Sequence, residues 1–254
     1  MVIGCVDSNS LVAGKGIERL KKAGIHVVVG VLEDECRKHH KRFFTFQDKN
    51  RPYIILKWAE TANGFIAPLK RNTVAPVFIS NQYSQQRVHK LRAKEHAILV
   101  GTNTVIADNP SLNVRSWFGN SPIRIVLDKN LRTPKISNVY DNTLRTIFIT
   151  SHENCKKVNQ KNSNENISFE GISFNDNIAN QICEVLQKNK IQSLIVEGGT
   201  QTLQTFIDAN IWDEAMVFVG KINFENGIKA PNLSEKILSE ENIQNDILKT
   251  YLND

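Results

Sequence analysis

Nothing in this chain reads as a metal cage, a secreted scaffold or a membrane span. Its four cysteines, Cys5, Cys36, Cys155 and Cys183, lie far apart, with no Cys-x-x-Cys and no Cys/His spacing suited to zinc. Reduced thiols and no metal site are therefore expected. No apolar run approaches the ~18–20 residues that cross a bilayer, and the first residues lack the order of a signal segment. A cytoplasmic chain without a membrane partner follows. The formal charge of +6 arises from 32 Lys and Arg spread along the sequence, without an aromatic-interleaved basic motif. Nucleic acid is not expected, and an anionic small molecule is the simpler partner.

What is present is ordinary for a globular protein: 254 residues, 41% hydrophobic and 23% charged. That suffices for one large domain, or one domain with an appendage. Val2–Val6 reads as a strand, Gly16–Ala23 as a helix ending at Gly24, Ile25–Val29 as a strand, and Glu33 through Phe43 as a helix. This β-α-β-α fragment is too short to bury a convincing core of its own. Gln47–Pro52 is the expected linker.

Beyond it, apolar runs at Tyr53–Ala59, Ala97–Val100, Ile123–Leu127, Thr146–Ile149, Leu194–Val196 and Ala215–Val219 read as strands. Helices are expected at Gln82–Lys94, with Ser80 as cap and Val88 and Leu91 inward, at Asn177–Lys188 and at Gln201–Ala209. Lys156–Asn166 reads as a surface loop. Near-continuous apolar strands separated by crossovers predict an α/β fold, a mostly parallel sheet covered on both faces.

Chemistry-bearing residues collect at the expected strand ends. Val196-Glu197-Gly198-Gly199-Thr200-Gln201-Thr202 joins a strand to a helix N-terminus, where glycines admit a close ligand and free N–H groups attract an anion such as phosphate. Gly101–Pro110 follows another strand with hydroxyls and a carboxylate, and Arg92 and Arg115 stand on either side of it. Lys57 ends the strand before the Asn63-Gly64 turn. Each feature also has a local explanation: Thr104 as a helix cap, Asp108 in a turn, the arginines as solvated charges, the glycines as turn formers.

Taken in order, Leu56-Lys57-Trp58-Ala59, Asn63–Ala67, Val88–Arg92, Ala97–Gly101, Thr104–Pro110, Leu112–Arg115 and Val196–Gly199 resemble the bifunctional deaminase/reductase family of riboflavin biosynthesis. The match is to its pyrimidine reductase domain, similar in fold to dihydrofolate reductase. Upstream, Asp7-Ser8-Asn9, Val12–Gly16 and Gly24-Ile25 look like the close of the family's deaminase domain. The deaminase zinc signature, a His-x-Glu and a Pro-Cys-x-x-Cys, is absent from this sequence. The resemblance thus implies a deaminase remnant over residues 1–47, without deaminase activity as it stands, and a reductase domain over residues 52–254.

The resemblance further implies an NADPH site at Ala59, Phe78, Thr104, Asp108 and Gly199 through Thr205, that is Gly199, Thr200, Gln201, Thr202, Leu203, Gln204 and Thr205. It implies that Pro76, Arg92, Leu112, Arg115 and Glu197 touch a phosphorylated ribosylaminopyrimidine, and that Lys57 and Glu197 orient the reacting groups and manage a proton. The sequence departs from the family pattern at Asn63, where Asp is usual, at Phe78, where a Trp often stacks on the cofactor, and at Pro76, where a serine is common. The expected reaction is NADPH-dependent reduction of 5-amino-6-(5-phosphoribosylamino)uracil by a homodimer. A dihydrofolate-reductase-like enzyme for another pterin or pyrimidine, and a non-catalytic nucleotide-binding remnant, are the alternatives.

Overall fold

The computed structural model describes residues 1–9, 11–71, 73–159 and 165–253. Its body is a nine-stranded sheet built from β3 (Tyr53–Glu60), β5 (Ala97–Gly101), β6 (Ile123–Leu127), β7 (Thr146–Ser151), β8 (Ile167–Ile172), β9 (Ser193–Glu197), β10 (Glu214–Val219), β12 (Ile237–Ile243) and β13 (Asp246–Leu252). The spatial order is β12-β13-β10-β3-β9-β5-β6-β7-β8. From β10 to β8 every pairing is parallel; β13 and β12 close one edge as an antiparallel hairpin.

The central strands are apolar at nearly every position because both faces are covered. Ile54, Leu56 and Trp58 of β3, Leu194 and Val196 of β9, and Ala97 and Leu99 of β5 enter one cluster. Ile55, Ile195, Ile98 and Val100 from the same strands enter the cluster on the other face. Alternation of two persists, but between two cores rather than between core and water. Helices α7 (Ile178–Lys188) and α8 (Thr200–Asp208) cover the first face through Ile182, Leu186, Leu203 and Phe206. On the second lie Leu91 of α4 (Gln82–Arg92) and Val105 of α5 (Thr102–Asp108).

Ahead of the sheet, β1 (Val2–Ile3) pairs in parallel with β2 (Val28–Val29), and α1 (Lys15–Lys22), α2 (Glu33–His39) and α3 (Lys41–Asp48) complete the segment. Among the described residues before Phe44 no side chain is buried. Helix α3 joins this segment to the body, with Lys41 and Arg42 lying over the Tyr53 ring and ion pairs beside it. Lys41 Nζ lies 2.8 Å from Glu214 Oε2, and Arg42 pairs with the buried Glu95.

Several expectations are corrected. The strand expected over Val2–Val6 stops at Ile3, and the helix expected from Glu33 through Phe43 breaks at His40 into α2 and α3. The break lets α3 turn so that Lys41 and Arg42 reach the body. Asn81, not Ser80, caps α4; its Oδ1 accepts the N–H groups of Tyr83 and Ser84 at 2.9 and 3.0 Å. Lys156–Asn166 is no simple loop, since α6 (His152–Asn159) runs into it; residues 160–164 lie outside the described residues. Strands β4 (Phe65–Pro68), β8, β11 (Gly227–Lys229), β12 and β13 were not expected; β4 and β11 pair as an antiparallel ribbon.

Candidate active site

The strand order places a crevice where connections diverge. From β5 the chain steps outward through β6, β7 and β8, then returns through α7 to insert β9 between β5 and β3. Ligands of open α/β sheets bind beyond the strand ends at such a reversal. Here the carboxyl ends of β3, β9, β5 and β6 open on one cleft of about 1110 Å³.

Lys57 and Glu197 face each other because β3 and β9 pair in register at these two residues. Lys57 Nζ stands 3.9 Å from Glu197 Oε1. Arg92, from the last turn of α4, forks the same carboxylate: Nη2 to Oε2 at 2.7 Å and Nε to Oε1 at 3.2 Å. Burial pushes the Glu197 carboxyl up, but Arg92 and Lys57 outweigh it and hold the group at about 2. Glu197 is therefore a fixed anion at neutral pH. Burial lowers the Lys57 ammonium below its ordinary value, opposed by Glu197 and reinforced by Arg92.

Beside this charge array lies a cradle for an anion. Gly198 and Gly199 have φ of 78° and 74°, a left-handed conformation that favours glycine. A Cβ on Gly199 would sit 3.3 Å from Thr104 Oγ1, so the α5 hydroxyl and the glycine turn are in close contact. Helix α8 starts at Thr200 without a side-chain cap, leaving first-turn N–H groups for a ligand. Thr202 packs against Gly101, where a Cβ would lie 2.6 Å from its Oγ1. The Thr200 hydroxyl donates to the Lys229 carbonyl at 2.5 Å.

The cleft brings together Lys57, Ala59, Pro76, Phe78, Arg92, Thr104, Asp108, Leu112, Arg115, Glu197, Gly199, Thr200, Gln201, Thr202 and Thr205. Two residues of the expected set are placed elsewhere. Leu203 is fully buried in the core, and Gln204 turns outward to accept the Asn232 N–H at 2.8 Å and to donate to Asp208 at 2.7 Å. Both follow from helical geometry, because the helical stretch Thr200–Thr205 cannot turn every side chain toward one wall. Phe78 is 61% exposed, a ring offered to the cleft rather than packed in the core. Leu112 is buried at a positive φ of 52°, which pins the turn leading to Arg115. Asn63 serves its turn: Oδ1 accepts the Thr61 hydroxyl at 2.7 Å and Nδ2 donates to the Phe224 carbonyl at 2.8 Å.

The local explanations fare unevenly. Thr104 is no cap, since Gly101 precedes α5. Asp108 pairs with Arg71, a cleft residue that sequence reasoning missed because nothing in Leu69–Val77 signals it. Lys129 and Arg132, after β6, also line the cleft and were missed; Arg132 Nη2 lies 3.2 Å from Asn103 Oδ1. His89 was missed too, although its spacing of three from Arg92 marks a shared helix face.

Residues 52–222 match the RibD C-terminal domain family. A riboflavin biosynthesis protein RibD from Aquifex aeolicus is 37% identical over 94% of this chain and 66% of its own length. The chain spans about two thirds of the length of curated relatives that it matches. A solved diaminohydroxyphosphoribosylaminopyrimidine deaminase/5-amino-6-(5-phosphoribosylamino)uracil reductase from Thermotoga maritima superposes with a TM-score of 0.81 at 27% identity, over 100% of this chain and 71% of the other. Acinetobacter baumannii RibD gives 0.83 at 25% identity, over 100% and 72%. With its sheet order, its strand-end cleft and these likenesses together, the chain belongs to the RibD C-terminal domain family.

Proposed function

We propose that this chain reduces 5-amino-6-(5-phosphoribosylamino)uracil to its ribitylamino product with NADPH. The observation that carries the reading is one cleft lined by two anion-receptive groups, the Gly198-Gly199 cradle at α8 and the Arg115 guanidinium, together with the Lys57–Glu197–Arg92 array. A dinucleotide and a phosphorylated sugar need such a pair. The likeness to the Thermotoga maritima reductase, named for this substrate, supports the choice.

The cradle fits the cofactor's pyrophosphate, because its glycines leave no Cβ in the way and its helix N–H groups are uncapped. Phe78 offers a π-face, and Lys129 and Arg132 are cations suited to the extra phosphate that distinguishes NADPH from NADH. When bound, the reduced nicotinamide supplies a hydride. The chain's residues do the rest. Glu197, held ionised, orients polar groups of the substrate and keeps Arg92 and Lys57 in place. In its protonated form the Lys57 ammonium, made a readier acid by burial, can protonate the ring oxygen released as the ribose opens or stabilise the imine nitrogen that stays bonded to the sugar carbon. Arg115 donates from Nη1 to Asn113 Oδ1 at 2.9 Å and, among the described residues, keeps other guanidinium donors for the substrate phosphate.

Residues 1–47 are read in the same proposal as the closing part of a deaminase domain, supported by the lack of buried side chains among the described residues before Phe44 and by a structural match spanning the whole chain. A cytoplasmic homodimer belongs to the proposal as well, and sedimentation of the purified protein tests its assembly. Among the described residues no helix is long and apolar enough to cross a membrane. Loss of nicotinamide absorbance tests the activity. Oxidation with the phosphoribosylaminouracil, and none with dihydrofolate, is expected; turnover of dihydrofolate, or binding without turnover, would replace the proposal.

A further inference from the structure

His89 sits in the last turn of α4 and is only 5% exposed. Its Nδ1 accepts the backbone N–H of Arg115 at 3.3 Å, and it is hydrogen-bonded to the Asn113 backbone. One imidazole therefore ties both ends of the Asn113–Arg115 turn to α4. The same turn is reached by Arg92, whose Nη1 donates to the Asn113 carbonyl at 3.3 Å, and by Ser121, whose Oγ accepts the Val114 N–H at 3.0 Å.

Acceptance at Nδ1 requires a lone pair there, which in a neutral ring leaves the proton on Nε2. A protonated ring would lose that acceptor and add a third cation beside Arg92 and Arg115, with Glu197 as the counter-charge. Burial, reinforced by the two arginines, holds His89 near 4, so the ring is neutral at physiological pH.

We propose that His89 is a positioning residue for substrate recognition: its neutral imidazole fixes the Asn113–Arg115 turn so that Arg115 presents its guanidinium to the substrate phosphate. The proposal rests on reading Arg115 as the phosphate anchor. Arg115 is itself exposed and makes no ion pair among those the described residues show, so its side chain owes its place to its backbone. Leu112 anchors the start of the turn in the core, and at Arg115 itself the backbone N–H is held by His89.

The test compares His89→Leu, His89→Asn and Arg115→Ala for turnover of the phosphorylated substrate and of its dephosphorylated analogue. Leu keeps the volume and removes the acceptor; Asn restores an acceptor oxygen. His89→Leu is expected to raise KM for the phosphorylated substrate about tenfold, with changes under about twofold for the analogue and for NADPH, and His89→Asn to recover most of the loss. His89→Ala, which also lacks a side-chain acceptor, gives the same comparison if His89→Leu does not accumulate as folded protein. Equal effects on both substrates, or none, while Arg115→Ala still separates them, overturn the role of His89. Failure of Arg115→Ala to separate them overturns the reading of Arg115, and the proposal with it.

Discussion

Arg92 grips Glu197 with two edges of its guanidinium, Nη2 at 2.7 Å from one carboxylate oxygen and Nε at 3.2 Å from the other. With Lys57 on the far side, this buried carboxylate balances two cations. Removing the anion leaves like charges facing each other in a half-dry cleft. Glu197→Gln, which keeps the shape, is expected to cost about 3–5 kcal/mol of stability and to lower kcat at least about tenfold. Thermal denaturation and steady-state turnover check both.

The acid side of the stability profile carries two windows. His89 is held near 4 against an ordinary 6.5, so the unfolded chain takes that proton first and stability is lost as pH falls between those values. Glu197 is held near 2 against 4.5, so its contribution is complete above 4.5 and is lost as pH falls toward 2. Melting temperature measured across pH should thus fall first in the upper window. His89→Asn should flatten that window alone.

Gly199 tests the cradle. A side chain there is strained by φ of 74° and would crowd Thr104 at 3.3 Å. Gly199→Val, if its melting temperature stays near that of the parent protein, is expected to weaken NADPH binding at least about tenfold while leaving pyrimidine binding within about twofold. Fluorescence titration measures the cofactor arm. Unchanged NADPH affinity would place the pyrophosphate elsewhere.

Arg71 ties the segment carrying Pro76 and Phe78 to Asp108 at the end of α5. Arg71→Ala is expected to speed amide exchange in that segment and to raise KM for NADPH several-fold, with little change in global stability because the pair is partly exposed. A large loss of stability would show the pair to be structural instead.

The strands from β10 to β7 were legible because burial on both faces writes each central strand as an unbroken apolar run; Ile54-Ile55-Leu56 and Leu194-Ile195-Val196 leave little else to read. The antiparallel edge was not. Ile237–Ile243 is exposed along most of its length and carries Ser239, Glu240, Glu241 and Asn242 in succession, so neither an apolar run nor alternation marks it. The break at His40 was hidden because its cause is tertiary, the reach of Lys41 and Arg42 to Glu214 and Glu95. At the site, residues within strand-end motifs were legible from local pattern. Arg71, Lys129 and Arg132 were not, because only the folded sheet brings their loops to the motif-bearing strand ends.

Reduction of the ribosylamino group must place a new hydrogen on the sugar carbon bonded to nitrogen. Turnover with NADPH deuterated at both C4 positions of the nicotinamide tests this most directly. The account predicts a product one deuterium heavier, with the label on that ribityl carbon. Cofactor oxidation without label in the product, or label delivered to the pyrimidine ring, would contradict it.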